Sequence, residues 1–251
     1  MPPATGGSLL AVPGLLSIEE RGDVAVVTLE RPEKRNALSI ALRVELADAF
    51  ERLGADDSVG CVMLTGTGSA FCAGMDVAQF GGDLSNRRRL VETSTGAFRA
   101  VGRCPRPVVA AVNGPALAGG FALALLCDIR IAAESATFGY PELPLGIPPS
   151  YAAVRATISP AAARELCLTG RVIDAGEALR LGVVSEVCSD LELPERALAL
   201  AQRIAEMPRA AQNETKRRIL RDGERAFGEL FAEEERVFRE ALLEGEPDPA
   251  A

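Results

Sequence analysis

Histidine is absent from this chain of 251 residues. That one gap removes Ser-His-Asp and Cys-His nucleophile systems, most zinc hydrolases and every imidazole general base. Proton transfer must fall to Asp, Glu, Lys, Tyr, Cys or the substrate itself. Every long apolar run is interrupted by Gly, Pro or a charge, so no membrane span is expected. The opening MPPATGGSLLAVPGLLS has no basic n-region. Residues 1–16 therefore read as a flexible leader, not a secretory signal. No C-x-x-C pair occurs among Cys61, Cys72, Cys104, Cys127, Cys167 and Cys188. Buried free thiols in a reducing, cytoplasmic compartment are expected, with no metal site. Positive charge is also in deficit: 27 Lys+Arg against 35 Asp+Glu leave a net charge of -8. Such a balance argues against nucleic acid as a partner. It also requires local positive charge wherever an anionic substrate is met. Neither G-x-G-x-x-G nor a Walker A sequence is present, and nothing repeats at a fixed period.

What is present suits one large domain, since 48% hydrophobic residues are ample for a core. Strands are expected over 23–30, 59–64, 107–112, 128–132 and 136–138, where β-branched and small apolar residues cluster. Between them, helical periodicity covers 39–53 and 85–101, and a buried helix is expected over 119–127. Alternation of this kind predicts an α/β core with right-handed crossovers. From Ser159-Pro160 onward the pattern turns helical, with stops at Gly170 and Gly182. A last strand falls on VVSEV. Amphipathic helices are then expected over 193–207, 209–220 and 225–243, with a disordered EGEPDPAA tail.

Two small-residue turns follow buried strands: Ala70-Phe71-Cys72-Ala73-Gly74-Met75-Asp76 and Asn113-Gly114-Pro115-Ala116-Leu117-Ala118-Gly119-Gly120. Small side chains let another group approach the backbone, and a helix start offers unpaired N–H groups. Such donors can polarise a carbonyl oxygen. Taken singly, either turn is better explained by packing.

Taken in order, the segments RPEKRNAL (31–38), AFCAGMD, AVNGPALAGG, CDIRIAAESATFGYPELPLG and AAARELCLTGRVIDAGEALRLGVVSEV resemble the crotonase (enoyl-CoA hydratase/isomerase) superfamily. The resemblance covers roughly residues 20–220. It implies an α/β fold of β-β-α turns wound into a spiral core over 17–190. A helical region over 191–251 would form homotrimers, often paired into homohexamers. The implied substrate is an acyl-CoA thioester, with no cofactor beyond the CoA it carries. The thioester oxygen would be held by the backbone N–H groups of Met75 and Gly119. Lys34 and Arg35 would lie near the CoA phosphates, although a solvated loop also accounts for them. Ala37 and Ala73 would flank pantetheine and adenine, with Asp76 and Val77 completing that stretch of the site. The usual closing EKR-x-P-x-F segment has no counterpart, so the adenine lid is expected to be missing or replaced.

Acid/base chemistry decides the reaction class. Hydration in this superfamily resembles a two-carboxylate process, and the first of those glutamates falls on Ala122, which cannot move a proton. The second falls on Glu142. One glutamate with an apolar partner resembles the 3-enoyl to 2-enoyl isomerases. An enoyl-CoA hydratase remains open, with the second proton coming from solvent or Tyr140. So does a non-catalytic acyl-CoA binding protein. In IPPSYAAVR, Ser150 and Tyr151 are expected either to line the acyl pocket or to pack at a helix start.

Overall fold

A computed structural model describes residues 14–243. The chain enters through an antiparallel hairpin of β1 (Leu16–Arg21) and β2 (Val24–Leu29). It continues through α1 (Ile40–Ala55), β3 (Cys61–Gly66), α2 (Leu84–Gly102) and β4 (Val108–Val112). A two-residue strand β5 (Ala116–Leu117) leads into α3 (Gly119–Leu125), followed by β6 (Ile129–Ala133) and β7 (Thr137–Gly139). Then come α4 (Tyr151–Thr157), α5 (Pro160–Thr169), β8 (Val172–Asp174), α6 (Ala175–Leu181) and β9 (Glu186–Cys188). Helices α7 (Leu193–Ala205) and α8 (Arg209–Leu243) close the described chain.

Six strands form one sheet in the order β1-β2-β3-β4-β6-β9, parallel except for the first pair. A small second sheet has the order β5-β7-β8. Successive strand side chains point to opposite faces, and both faces of the large sheet are covered. In β4, Val108, Ala110 and Val112 join the main core, while Val109 and Ala111 join a second one. Burial on both sides is why this strand reads as an unbroken apolar run. Helix α7 supplies the cover for the second core. Its Leu193, Ala197, Ala201 and Ala205 recur every fourth residue and meet Val24, Met63 and Ile131. The apolar face of α7 is thus used within its own chain.

Two expectations need correction. The leader was taken to run through residue 16, but β1 begins at Leu16. This edge strand carries exposed Glu19, Glu20 and Arg21, the charge expected of a protected edge and a poor strand signal. Finally, α8 is one helix of 35 residues where two were expected. It passes straight through Gly223, at a typical cost of about 1 kcal/mol against Ala. Packing on α2 and α4, together with Arg103–Glu224 and Arg99–Glu235 ion pairs, offsets that cost. The expected tail over 244–251 lies outside the described residues.

Candidate active site

The RPEKRNAL loop and the AFCAGMD turn are stitched together by backbone. Ala73 N–H donates to Arg35 O at 2.9 Å, Leu38 N–H to Gly74 O at 2.7 Å, and Asp76 N–H to Leu38 O at 3.3 Å. Asn36 sits fully buried beneath them. Its Oδ1 accepts from Arg31 N–H at 2.9 Å, and its Nδ2 donates to Thr67 O and Ala70 O at 3.0 and 2.8 Å. Arg31 also pairs with Asp76 at 2.9 Å and donates to Ala37 O. Asp76 therefore turns toward the loop and holds it. Lys34 and Arg35 project exposed from the same loop, and Val77 is exposed just beyond Asp76.

Pairing with Leu38 uses the carbonyl of Gly74 and the amide of Asp76, so the Met75 amide faces the other way. There it approaches the start of α3. A Cβ on Gly119 would stand 3.7 Å from Met75 N, and one on Gly74 would stand 3.2 Å from Gly119 N. Among the described residues neither N–H has a protein acceptor. Gly119 is the first residue of α3, where amides lack intrahelical partners. Its direction is set by Ala118, a non-glycine residue at φ 53 and ψ -127. Such a conformation costs on the order of 1–3 kcal/mol and tends to persist where a site needs it. Behind Met75, its sulfur lies 3.9 Å from Arg43 Nη1 and 3.9 Å from Ser94 Oγ. Arg43 is buried, with Nη1 donating to Leu90 O at 2.9 Å and Nη2 unpartnered. Burial lowers its pKa to about 10.

The small sheet brings the carboxylate to this place. Leu117 of β5 lies beside Gly139 of β7, and Ala118 N–H donates to Gly139 O at 2.9 Å. From this shared point one segment runs into α3 with Gly119, and the other into the turn bearing Glu142. The Tyr140 ring, 5.2 Å from that of Phe121, fastens the turn to α3. Glu142 is half-buried, and its Oε2 is buried without a partner. Loss of water raises its pKa from 4.5 to about 7. Ala122, in α3, is buried and offers no titratable atom. The structure thus brings together Met75, Gly119 and the Glu142 turn, with Ala37, Ala73, Asp76 and Ala122 around them.

These groups can polarise a carbonyl with two peptide donors and move one proton with one carboxyl. The chain matches the family model described as enoyl-CoA hydratase/isomerase over residues 19–246. The chain belongs to the enoyl-CoA hydratase/isomerase family. A crotonyl-CoA hydratase of Syntrophomonas wolfei is 38% identical over 210 residues, covering 78% of this chain and 80% of that one. The crystal structure of an enoyl-CoA hydratase/isomerase from Mycobacterium paratuberculosis superposes with a TM-score of 0.86 at 30% identity, covering 93% and 96% of the two chains. A monofunctional enoyl CoA isomerase from M. smegmatis has a TM-score of 0.71 at 35% identity, covering 84% and 94%. The α/β fold is accordingly that of the crotonase superfamily.

Within this family frame, one expected site residue is corrected. Tyr140 was expected to contact substrate or give up a proton. It is only 1% exposed, its hydroxyl donates to Ser150 O at 3.2 Å, and burial raises its pKa further. A phenol so placed is part of the core. Tyr151 stands at a helix start, opening α4, and it also lines a cleft of about 570 Å³. That cleft lies beside the Glu142 turn, with Leu143, Pro148 and Cys167 in its walls. No role had been foreseen for Arg31, Asn36 or Arg43. The first two lie inside the RPEKRNAL motif, which was their only available signal. Among the described residues, no group of three or more metal-ligating side chains is found, and no helix is long and apolar enough to cross a membrane.

Proposed function

We propose that this chain isomerises 3-enoyl to 2-enoyl CoA thioesters with Glu142 as its one acid/base. The observation that carries this reading is Glu142, whose Oε2 is buried without a partner, in a chain whose position for a second carboxylate holds the buried, apolar Ala122. As a carboxylate, Glu142 takes a proton from carbon 2 of the acyl group. The electron pair spreads over carbons 1 to 4 and the thioester oxygen, which the Met75 and Gly119 amides stabilise. Return of a proton from the Glu142 carboxyl, which can exchange with solvent meanwhile, to carbon 4 leaves the double bond between carbons 2 and 3. A carboxyl with a pKa of about 7 can both accept and return a proton at neutral pH. Exposed Lys34 and Arg35, next to the Ala37 and Ala73 backbone, supply the local positive charge that CoA phosphates need in an acidic protein.

Hydration is the second reading, favoured by relatives named as hydratases. In it, Glu142 orients water and solvent provides the other proton. A panel of 3-enoyl and 2-enoyl CoA thioesters in heavy water separates the two. The expected result is double-bond migration with exchange at carbon 2 and no 3-hydroxyacyl product. Hydroxyacyl product as the main outcome would sink the isomerase reading, and binding without exchange or turnover would leave a carrier.

We further propose a homotrimer, or a pair of trimers. Leu191, Met207, Ile219 and Val237 stand exposed along the helical third, apolar side chains that association would cover. Light scattering at micromolar concentration is expected to give at least three chain masses, and a monomer mass would refute it.

A further inference from the structure

Two adjacent carboxylates of α8 are bonded to two different helices that border the site. Glu235 takes the guanidinium of Arg99 on α2, with Nε donating to Oε1 at 3.1 Å. Glu234 accepts from Ser150 Oγ at 2.9 Å and from Ala152 N–H at 2.7 Å, at the start of α4. The first amides of a helix need an outside acceptor. Ser150, the residue placed to cap α4, makes no such bond with its own side chain. The cap arrives instead from a helix more than 80 positions later in the chain. Burial raises the pKa of Glu234, so this carboxyl has exchanged water for those bonds.

Each of the two helices touches one half of the reaction centre. From α2, Phe98 Cζ would lie 3.5 Å from a Cβ on Gly119, and Ser94 Oγ lies 3.9 Å from the Met75 sulfur. At the α4 end, Ser150 O accepts from Tyr140, two residues before Glu142, and Tyr151 follows directly. The distance between α2 and α4 is therefore held by α8, through one carboxylate for each. We propose that Glu234 is a positioning residue for acyl-group recognition, fixing the start of α4 and so the width of the gap that receives the acyl chain. This rests on the acyl-CoA reading above. Glu234 meets neither the CoA loop nor the oxyanion amides, so its effect is confined to the acyl portion.

Calorimetry with free CoA and with hexanoyl-CoA, a saturated probe that cannot isomerise, tests this on the full chain. Wild-type protein is expected to prefer hexanoyl-CoA. In Glu234→Ala that preference should fall about tenfold, the scale of losing hydrogen bonds to a charged group, while CoA affinity holds. Glu234→Gln can still accept from Ala152 and donate to Ser150, and is expected to restore the preference. Ser150→Ala removes one of the two bonds from the other side and should give a smaller loss, which keeps the test open if Glu234→Ala fails to fold. An undiminished preference in these variants, or an equal loss for CoA and hexanoyl-CoA, overturns the inference alone. Wild-type protein that binds both ligands alike overturns the acyl-CoA reading, and this inference with it.

Discussion

Glu142→Gln lowers turnover of enoyl-CoA by about 10²-fold or more, the usual scale for removing a positioned general base. Glutamine keeps the volume and polarity of the side chain but cannot carry the proton. Substrate affinity changes little, because in the proposed mechanism the thioester oxygen is held by peptide groups of Met75 and Gly119. The pH profile supplies a second reading of the same change. In the wild type the base must be ionised, and burial has raised its pKa to about 7. Activity per free enzyme (kcat/KM) therefore rises with pH up to about 7 and levels off above it. In the glutamine variant the residual rate loses that rising limb. Steady-state kinetics across neutral pH checks both statements. Near-normal turnover, or an unchanged limb in the variant, would remove Glu142 from its role.

Gly74→Ala is expected to cost about 10²–10³ in kcat, as for loss of one oxyanion donor. A Cβ at this position would stand 2.8 Å from Ala118 Cβ, 3.0 Å from Leu117 O and 3.2 Å from Gly119 N. None of these atoms ends a flexible side chain, so none can swing aside. The residue also has φ 98, where an L side chain is strained, at a further cost of about 1–2 kcal/mol. Relief comes from moving the AFCAGMD turn away from α3, which parts the two amides. CoA affinity, assigned in the proposed function to the loop around Lys34, should survive better than the rate. Kinetics beside CoA titration and a melting curve separate these effects. A variant with full kcat would show that the two amides do not act as a pair.

The site and the fold were not equally legible in the sequence. Strand β4 could be read because burial on two faces leaves an unbroken apolar run. Glu142, Met75 and Gly119 were legible through ordered motifs, and Ala122 was informative because a neutral methyl stood where a carboxylate was expected. Edge strand β1 escaped because its exposed face is charged, and the partner that caps α4 escaped because it is not local. Nothing near Ser150 in sequence indicates a partner at Glu234, which sits in a run of three glutamates with two exposed or partly exposed neighbours. Tyr140 was misjudged for a related reason. A tyrosine beside a glutamate in a turn reads as polar, and only the stacking of its ring near Phe121 shows which way it faces. Arg43 likewise reads as the polar face of an amphipathic helix, yet it lies buried under Met75.

The contacts from α8 to α2 and α4 also bear on the order in which the protein matures during synthesis. The oxyanion turns, the CoA loop and Glu142 are all encoded before residue 150, and the strands that hold them pair with near neighbours. Glu234 and Glu235 leave the ribosome some 90 residues after Glu142. Contacts that span such separations close late, because the loop entropy must be met first. A nascent chain can thus hold an assembled proton-transfer centre while the flanking helices are still free to shift. On the role proposed for Glu234, competence to select an acyl chain is acquired last, when α8 docks on α2 and α4.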